Sequence, residues 1–207
     1  AVMEFGARRA QGIDASVYGA KASYIAGIDG TSNVLTGKLF NIPVLGTMAH
    51  SWVQMFDTEL EAFKAFAKSF PNNCVLLVDT YNTLQSGIPN AIKTFDEILK
   101  PMGIRPKGIR LDSGDLAYLS KQARKMLDNA GYEDAQIVVS NSLDEYTIRD
   151  LLHQEAKIDS FGIGERLITS KTHPVFGGVY KLVAIEENGK IIPKIKVSEN
   201  VDKITTP

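Results

Sequence analysis

The feature that most constrains the fold of this chain is a regular alternation of short apolar runs with longer amphipathic segments. The short runs have the length and β-branched content of buried strands, whereas the longer segments repeat their apolar residues at helical spacing. The predicted strands are IPVLG, CVLLV, PKGIRL, AQIVVS and IDSFGIG, and the predicted helices between them are TELEAFKAFAKSF, IPNAIKTFDEILKPMG, LAYLSKQARKMLDNAG and LDEYTIRDLLHQEA. This order indicates βα units on a parallel sheet or a barrel.

Local signals support the helix limits at several places. Thr58 and Glu61 have the spacing of a capping box, which satisfies backbone N–H groups at the start of a helix. Gly103 is placed to end the helix that precedes it. Residues 10–26 are rich in alanine and are followed by Gly27, which predicts a helix with small side chains and close packing.

The alternation stops near the C-terminus. The segment GGVYKLVAIEENGKIIPKIKV places Asn188 and Gly189 between two runs rich in β-branched residues, which predicts a β-hairpin. We therefore predict an α/β domain over residues 1–178 and a small antiparallel β appendage over residues 179–207.

Charge and composition exclude several classes of protein. The formal net charge is −1 at pH 7 with both signs scattered, so the chain has no basic footprint for nucleic acid or a membrane surface. No apolar run approaches the roughly 18 residues of a membrane span, and the first residues lack the layout of a signal peptide. The single cysteine, Cys74, cannot build a disulfide framework. We expect a cytoplasmic protein, and both ends of the chain read as cut.

Polar residues gather directly after the predicted strands, in GTMAHSW, DTYNT, RLDSGD, SNSLDE and FGIGE. The carboxyl ends of parallel strands form the ligand face of barrels and open sheets alike, which predicts one shared site. Turn chemistry also enriches Asp, Asn, Ser and Gly in loops, but it does not account for the Arg, His and Trp that accompany them.

Several of these residues suit the binding of anions. Arg110 and Asp112 lie on one face of a predicted strand, where the guanidinium could hold a carboxylate or phosphate, or else pair internally with the aspartate. Arg8 and Arg9 add two cations to this site. The alternative is that they are an ordinary pair of solvated surface side chains. The FGIG glycines at 162 and 164 would let backbone N–H groups approach an anion, or simply form a tight turn.

The three histidines differ in what they could do. His153 and His173 lack the spacing of a zinc site, and we predict no protein-bound metal from these residues. No nucleophile-elbow or Walker pattern is present. His50 is left with general acid–base work or phosphoryl acceptance, with a structural histidine at a strand end as the alternative.

The motifs EFGARRAQG, GTMAHSW, LVDTYNT, GIRLDSGD, VSNSLDE, FGIGERLITS and GGVYKLV, in this order, resemble the nicotinate phosphoribosyltransferase family over essentially the whole chain. The resemblance implies an irregular TIM-like α/β barrel of the type II phosphoribosyltransferases, here incomplete. It also implies an ATP-coupled reaction of nicotinate with phosphoribosyl pyrophosphate, which yields nicotinate mononucleotide and pyrophosphate for NAD biosynthesis. Mg²⁺ as cofactor, ATP as co-substrate and a homodimer follow from the same resemblance.

The resemblance also implies roles for individual residues. His50 matches the histidine that ATP phosphorylates, and Thr47 and Arg110 match residues that hold nicotinate. The remaining matches contact the ribose, the phosphates or the base: Asp112, Ser113, Asn141, Arg8, Arg9, Gly162 and Gly164.

Two departures from the family pattern bear on this expectation. Many relatives have threonine after the second glycine, where this chain has Glu165, so we expect this carboxylate to turn outward or to bind a cation. The resemblance also implies an N-terminal domain that supplies a tyrosine to the nicotinate pocket; we expect this domain to be absent here and the fragment to be inactive alone.

Three alternatives remain open. A nicotinamide-type phosphoribosyltransferase is less favoured, because the cationic Arg8–Arg9 pair would attract the carboxylate of nicotinate, which nicotinamide lacks. A phosphosugar lyase or isomerase would use Asp112 as a base and would turn over without ATP or a pyridine acid. A truncated barrel that serves only in assembly would bind no ligand.

Overall fold

Six parallel strands form the centre of the first part of the chain. A computed structural model describes residues 1–175, 177–178 and 180–194, which divide into two units, Ala1–Thr172 and one that begins at His173. Within the described part of the first unit the strands are β1 (Val2–Glu4), β2 (Gly30–Thr31), β3 (Val75–Leu77), β4 (Gly108–Leu111), β5 (Gln136–Ser140) and β6 (Ser160–Ile163). They pair in the order β2-β1-β6-β5-β4-β3, and every pairing is parallel. The predicted α/β class with a parallel sheet is confirmed.

Helices follow most of the strands. Their bounds are α1 (Ile13–Ile25), α2 (Val34–Phe40), α3 (His50–Gln54), α4 (Glu59–Ser69), α5 (Ile88–Thr94), α6 (Leu116–Asn129), α7 (Glu145–His153) and α8 (Glu165–Ile168). The predicted capping box is present, because Thr58 accepts from the Glu61 N–H while the Glu61 carboxylate accepts from the Thr58 N–H. No helix in the described ranges is long and apolar enough to cross a membrane.

The helix predicted over 88–103 differs from expectation at its start. Helical structure begins at Thr83, in a π-helical turn over Thr83–Gly87, because the Asn82 side chain accepts from the Gln85 N–H. A Cβ on Gly87 would lie 1.8 Å from the Val78 carbonyl oxygen, so this turn packs directly on the end of β3. The helix ends at Gly103 in the left-handed conformation (φ 70°), as predicted.

The prediction of a buried strand at IPVLG is wrong. Val44 forms only an isolated parallel bridge with Thr31, and its side chain is 48% exposed. This segment lies beyond the edge strand β2, and in the described part of the chain no second strand pairs with it. The two-residue strand β2 and the helix α2, neither of them predicted, fill residues 30–40.

The hydrophobic core lies between one face of the sheet and helices α4 to α6, together with the π-helical segment Phe95–Leu99 that continues α5. Alternate residues of the central strands are fully buried there against apolar side chains of the helices: Ile109, Leu111, Ile137 and Val139 against Phe63, Phe95, Leu99 and Leu127. Cys74 is buried in the same core, and this burial raises the pKa of its thiol to about 12. The opposite face of the sheet is left for polar residues and a cavity.

The second unit contains the predicted hairpin. Strands β7 (Ala184–Glu187) and β8 (Lys190–Pro193) are antiparallel, and the turn residues Asn188 and Gly189 have φ of 51° and 77°. Two successive residues with positive φ give the turn whose twist matches a hairpin, which is why Asn-Gly predicts it. The last part of the predicted appendage, residues 195–207, lies outside the described residues.

Candidate active site

Asp79, Asp112 and Ser140 form one row at the carboxyl ends of three neighbouring strands. In the register of β3 and β4, Leu77 lies opposite Arg110, so Asp79 lies opposite Asp112 two residues later. In the register of β4 and β5, Leu111 lies opposite Val139, so Asp112 lies opposite Ser140. Side chains alternate along a strand, so Arg110 lies on the same face as Asp112, one step nearer the centre of the sheet. The sheet therefore gathers two carboxylates, a guanidinium and a hydroxyl on one face.

Arg110 is held by three partners. Its Nε donates to Ser140 Oγ (2.8 Å), its Nη1 to the Met48 carbonyl oxygen (3.0 Å) and its Nη2 to Asp112 Oδ1 (2.9 Å). The Ser140 hydroxyl donates to the same Asp112 oxygen. The internal ion pair that the sequence left open is thus formed. A guanidinium has five N–H groups, so two are left for another acceptor.

Asp79 was not singled out in the sequence, yet its carboxylate is almost completely buried beside Asp112. Oδ2 accepts from the Asp112 N–H (2.9 Å) and from Ser113 Oγ (2.5 Å). Oδ1 is buried and accepts no hydrogen bond. A carboxylate oxygen that is removed from water without a partner costs free energy, which favours a cationic group at this position.

His50 begins α3 and faces both carboxylates. Its Nδ1 lies 3.1 Å from Thr80 Oγ1, and its Nε2 lies 3.6 Å from Asp112 Oδ2 and 3.9 Å from Asp79 Oδ1. The side chain is 40% exposed, so a ligand can reach the ring. If Nδ1 carries the proton and donates to Thr80, the lone pair of Nε2 is free to act as a base or a nucleophile.

Phe5 is a second residue that sequence reasoning missed. The Arg110 guanidinium carbon lies 6.0 Å from the centre of the Phe5 ring. A Cβ on Gly162 would lie 2.5 Å from the same ring, so Gly162 is required for the packing of Phe5. The packing of Phe5 therefore explains why the first position of the FGIG glycine pair is a glycine, independently of the predicted phosphate-binding role.

Glu165 makes contacts with two cations. Arg9 Nη1 donates to Glu165 Oε2 (2.8 Å), and Lys171 Nζ lies 3.9 Å from Oε1. All three side chains are about half exposed, so these pairs contribute little to stability. Arg8, the chain neighbour of Arg9, is exposed, and Gly164 directly precedes Glu165 at the start of α8.

Asn141 and Thr47 lie outside the hydrogen-bonded group around Arg110. Asn141 follows Ser140 with a φ of 114°, and its Oδ1 accepts from the Ser142 N–H (2.9 Å). Thr47 lines a cavity of about 520 Å³. The cavity is lined by Met3, Val44, Leu45, Gly46, Phe66, Phe70, Asn73, Val75, Lys107, Gln136, Val138 and Ser160, several of which begin strands.

The structure thus brings together four of the predicted residues, His50, Arg110, Asp112 and Ser113, and adds Asp79, Thr80, Ser140 and Phe5. The signal for Asp79 and Ser140 was the alternation of their strands, which places both on the face of Arg110. In the described ranges no group of three or more His, Cys, Asp or Glu side chains is arranged to hold a metal.

Comparisons with known proteins agree on one family. The model of the "Nicotinate phosphoribosyltransferase (NAPRTase) family" matches residues 1–205. A nicotinate phosphoribosyltransferase of Bacillus subtilis is 55% identical over 99% of this chain, and one of Dictyostelium discoideum is 41% identical over 100% of it. The crystal structure of human nicotinic acid phosphoribosyltransferase superposes with a TM-score of 0.72 at 31% identity, over 79% of this chain and 43% of that one.

The coverage of the relatives is partial. The chain spans 41% of the length of the Bacillus subtilis protein and 42% of the Dictyostelium discoideum protein.

Proposed function

Because the chain belongs to the nicotinate phosphoribosyltransferase family, we propose that it carries the substrate site of an enzyme of NAD biosynthesis. The enzyme joins nicotinate to phosphoribosyl pyrophosphate and couples this step to ATP hydrolysis. The observation that carries the proposal is the contact chain from Arg110 through Asp112 to His50, within a region that the family model covers. It supplies a cation for a carboxylate substrate and an accessible imidazole in one place.

Arg110 recognises the nicotinate carboxylate in this proposal. Two of its N–H groups are uncommitted, and its other three are bound in a way that holds the guanidinium plane. The neighbouring Phe5 ring offers an apolar surface for the pyridine ring. Thr47, three residues before His50, contacts the same substrate in this proposal.

His50 accepts the γ-phosphoryl group of ATP. The Nε2 lone pair forms the N–P bond, the bond from the γ-phosphorus to the bridging oxygen breaks, and ADP leaves with that electron pair. Thr80 holds Nδ1 and so fixes which nitrogen reacts. Water later hydrolyses the phosphohistidine, and the change of charge beside Asp112 alters the affinity for the anionic substrates.

The residues present fit Mg²⁺. The buried Asp79 Oδ1 has no hydrogen-bond donor, and Mg²⁺ is held in many enzymes by one or two carboxylates together with substrate phosphates and water. Asp79 and Asp112 would hold it. When bound, it neutralises negative charge on the departing pyrophosphate.

The remaining residues hold the phosphoribosyl group. Arg8 and Arg9 attract the pyrophosphate, and the backbone N–H groups near Gly162 and Gly164 bind the 5′-phosphate. Asn141 and Ser113 contact the ribose. As pyrophosphate leaves, positive charge develops on the ribose, and the carboxylate of Asp112 stabilises it electrostatically.

The sheet becomes an irregular barrel in this proposal. Val44 and Leu45, beside the edge strand β2, and Val75, on the opposite edge strand β3, line one cavity, and this supports the proposed closure. Exposed apolar residues on α1 and α2, such as Ile13, Ile25 and Leu39, fit a homodimer contact. A single buried cysteine without a disulfide fits the cytoplasm.

The test measures the transfer of ³²P from the γ-phosphate of labelled ATP to the naturally expressed protein. We expect phosphohistidine at position 50, identified by mass spectrometry at alkaline pH, and its loss in His50→Gln. The matched control is His153→Gln, because His153 is exposed on α7, away from these contacts. An unphosphorylated His50 after turnover of nicotinate would contradict the proposed role, and turnover of a phosphosugar without nicotinate would favour a lyase or isomerase.

A further inference from the structure

We propose that Ser140 is a positioning residue that holds Arg110 and Asp112 in one geometry and so couples the nicotinate site to His50. The role rests on the proposed function, because it assigns a task within the same reaction. Ser140 is the last residue of β5, and it was not singled out in the sequence. Its hydroxyl is the one group that contacts both members of the Arg110–Asp112 pair in the described part of the chain.

The hydrogen bonds of Ser140 have a defined direction. Ser140 Oγ accepts a hydrogen bond from Arg110 Nε (2.8 Å), and its O–H donates a hydrogen bond to Asp112 Oδ1. Both partners carry charge, and such hydrogen bonds are stronger than those between neutral groups. Neither alanine nor glycine at this position could replace them.

Ser140 also helps to fix the orientation of the Asp112 carboxylate relative to the histidine. Arg110 Nη2 and Ser140 Oγ both bind Oδ1, so the carboxylate is held at that end. The free oxygen, Oδ2, then lies 3.6 Å from His50 Nε2. Without Ser140, one bond to Arg110 remains, and rotation of the carboxylate would move Oδ2 away from His50.

The surroundings leave little space for a substitute. Ser140 is only 4% exposed. A Cβ on the neighbouring Gly162 would lie 3.3 Å from the Ser140 Cβ and 2.5 Å from the Phe5 ring. The close packing around the hydroxyl means that a water molecule does not easily take its place in Ser140→Ala.

The first experiment compares Ser140→Ala with Ser140→Thr in the naturally expressed protein. We expect Ser140→Ala to raise KM for nicotinate by about 10-fold to 100-fold and to lower kcat, since hydrogen bonds to charged groups are lost. Ser140→Thr keeps the Oγ hydroxyl but adds a methyl group to a closely packed site, so we expect a KM between those of Ser140→Ala and the wild type. Wild-type KM and kcat in Ser140→Ala would overturn the proposal.

Ser120→Ala is the matched control. Ser120 is fully buried, donates to the Ala117 carbonyl oxygen (3.1 Å) and accepts from the Lys157 N–H (3.1 Å), so it also bridges two groups. It lies on α6, on the core side of the sheet. We expect a similar loss of Tm with unchanged KM for nicotinate. An equal rise of KM in both variants would show that Ser140 acts only through stability and would overturn the proposal.

A second measurement does not depend on turnover. In ¹⁵N-arginine NMR spectra, we expect the Arg110 Nε–H of the wild type to exchange slowly with water, and this protection to vanish in Ser140→Ala but not in Ser120→Ala. Unchanged protection in Ser140→Ala would overturn the positioning role. A wild-type protein that forms no nicotinate mononucleotide would refute the proposed function instead, and the NMR signal would still decide the position of Arg110.

Discussion

At the scale of the residue, the two roles that the sequence left open for Arg110 are compatible. The internal pair with Asp112 and the recognition of an anion do not compete, because the guanidinium has more N–H groups than its protein partners use. Pairing with Asp112 lowers the cost of keeping this cation at 13% side-chain exposure before a substrate arrives. The guanidinium is thereby held in place before any ligand arrives.

Arg110 is the residue whose loss should weaken nicotinate binding most. We predict that Arg110→Ala reduces the binding free energy by about 2–5 kcal/mol, as for truncation of a buried charge pair. Arg110→Lys keeps the charge but lacks the planar fork, so we expect a smaller loss. Isothermal titration with nicotinate measures both, and an unchanged dissociation constant in Arg110→Ala would refute the assignment. Arg149→Ala is the control, because Arg149 is exposed and pairs with its neighbour Asp150.

At the scale of the element, side-chain caps set where several helices begin. Asn33, Thr58, Asp115 and Asp144 each accept a hydrogen bond from a backbone N–H in the first turn of the following helix. Asp144 also pairs with Arg166 of α8 (2.9 Å). The cap therefore connects α7 to the helix that follows the FGIG segment.

Asp144 should make the stability of the protein depend on pH. The Thr147 backbone N–H, the Thr147 side chain and Arg166 hold the pKa of Asp144 below its ordinary value. The ionised carboxylate therefore adds to the free energy of unfolding above the pKa that Asp has in the unfolded chain, about 3.9. This contribution is lost as the pH falls through the lower pKa of Asp144 in the folded protein. We predict that Asp144→Ala lowers the unfolding free energy by about 1 kcal/mol near neutral pH, with a smaller difference in acid.

Asp144→Asn separates the cap from the charge. Asparagine also caps helices well, so we expect most of the stability to return at neutral pH, without the acid-dependent part. Urea unfolding at several pH values measures all three proteins. A difference between wild type and Asp144→Ala that does not shrink in acid would contradict the prediction.

At the scale of the whole molecule, we expect the backbone amides of the sheet to exchange hydrogen more slowly at its centre than at its edges. Strands β4 and β5 have partners on both sides, whereas β2 and β3 are the outer strands of the observed pairing. Local opening is easiest where backbone hydrogen bonds are few and exposed. The proposed closure into a barrel would remove this difference.

Hydrogen exchange distinguishes a closed barrel from an open sheet. If the barrel closes in the naturally expressed protein, we predict that amides of β3 and of residues 42–45 exchange about as slowly as those of β5. An open sheet leaves these edges exchanging much faster than the centre. Fast exchange confined to β3 and residues 42–45 would refute closure, and the two-sided strand β4 is the internal reference.

Much of the fold could be read from the chain because its signals are local. The apolar runs at Val75–Leu77, Gly108–Leu111 and Gln136–Ser140 have β-branched residues and clear ends, and each became a strand. IPVLG has the same composition but forms only the isolated bridge of Val44 with Thr31, because the strand β2 beside it is only two residues long. The π-helical start at Thr83 depends on how close Gly87 comes to β3, which no local pattern reveals.

The sequence by itself determined the family, the parallel α/β class and the presence of polar residues at the strand ends, because motifs, periodicity and caps are encoded over a few neighbouring positions. Only the tertiary structure decided which of these residues meet. The register between strands brings Asp79, Asp112 and Ser140 into one row, and the start of α3 turns His50 toward them. Such contacts join residues some 30 positions apart, as in His50–Thr80 and Arg110–Ser140, and their geometry arises only when the whole sheet has assembled.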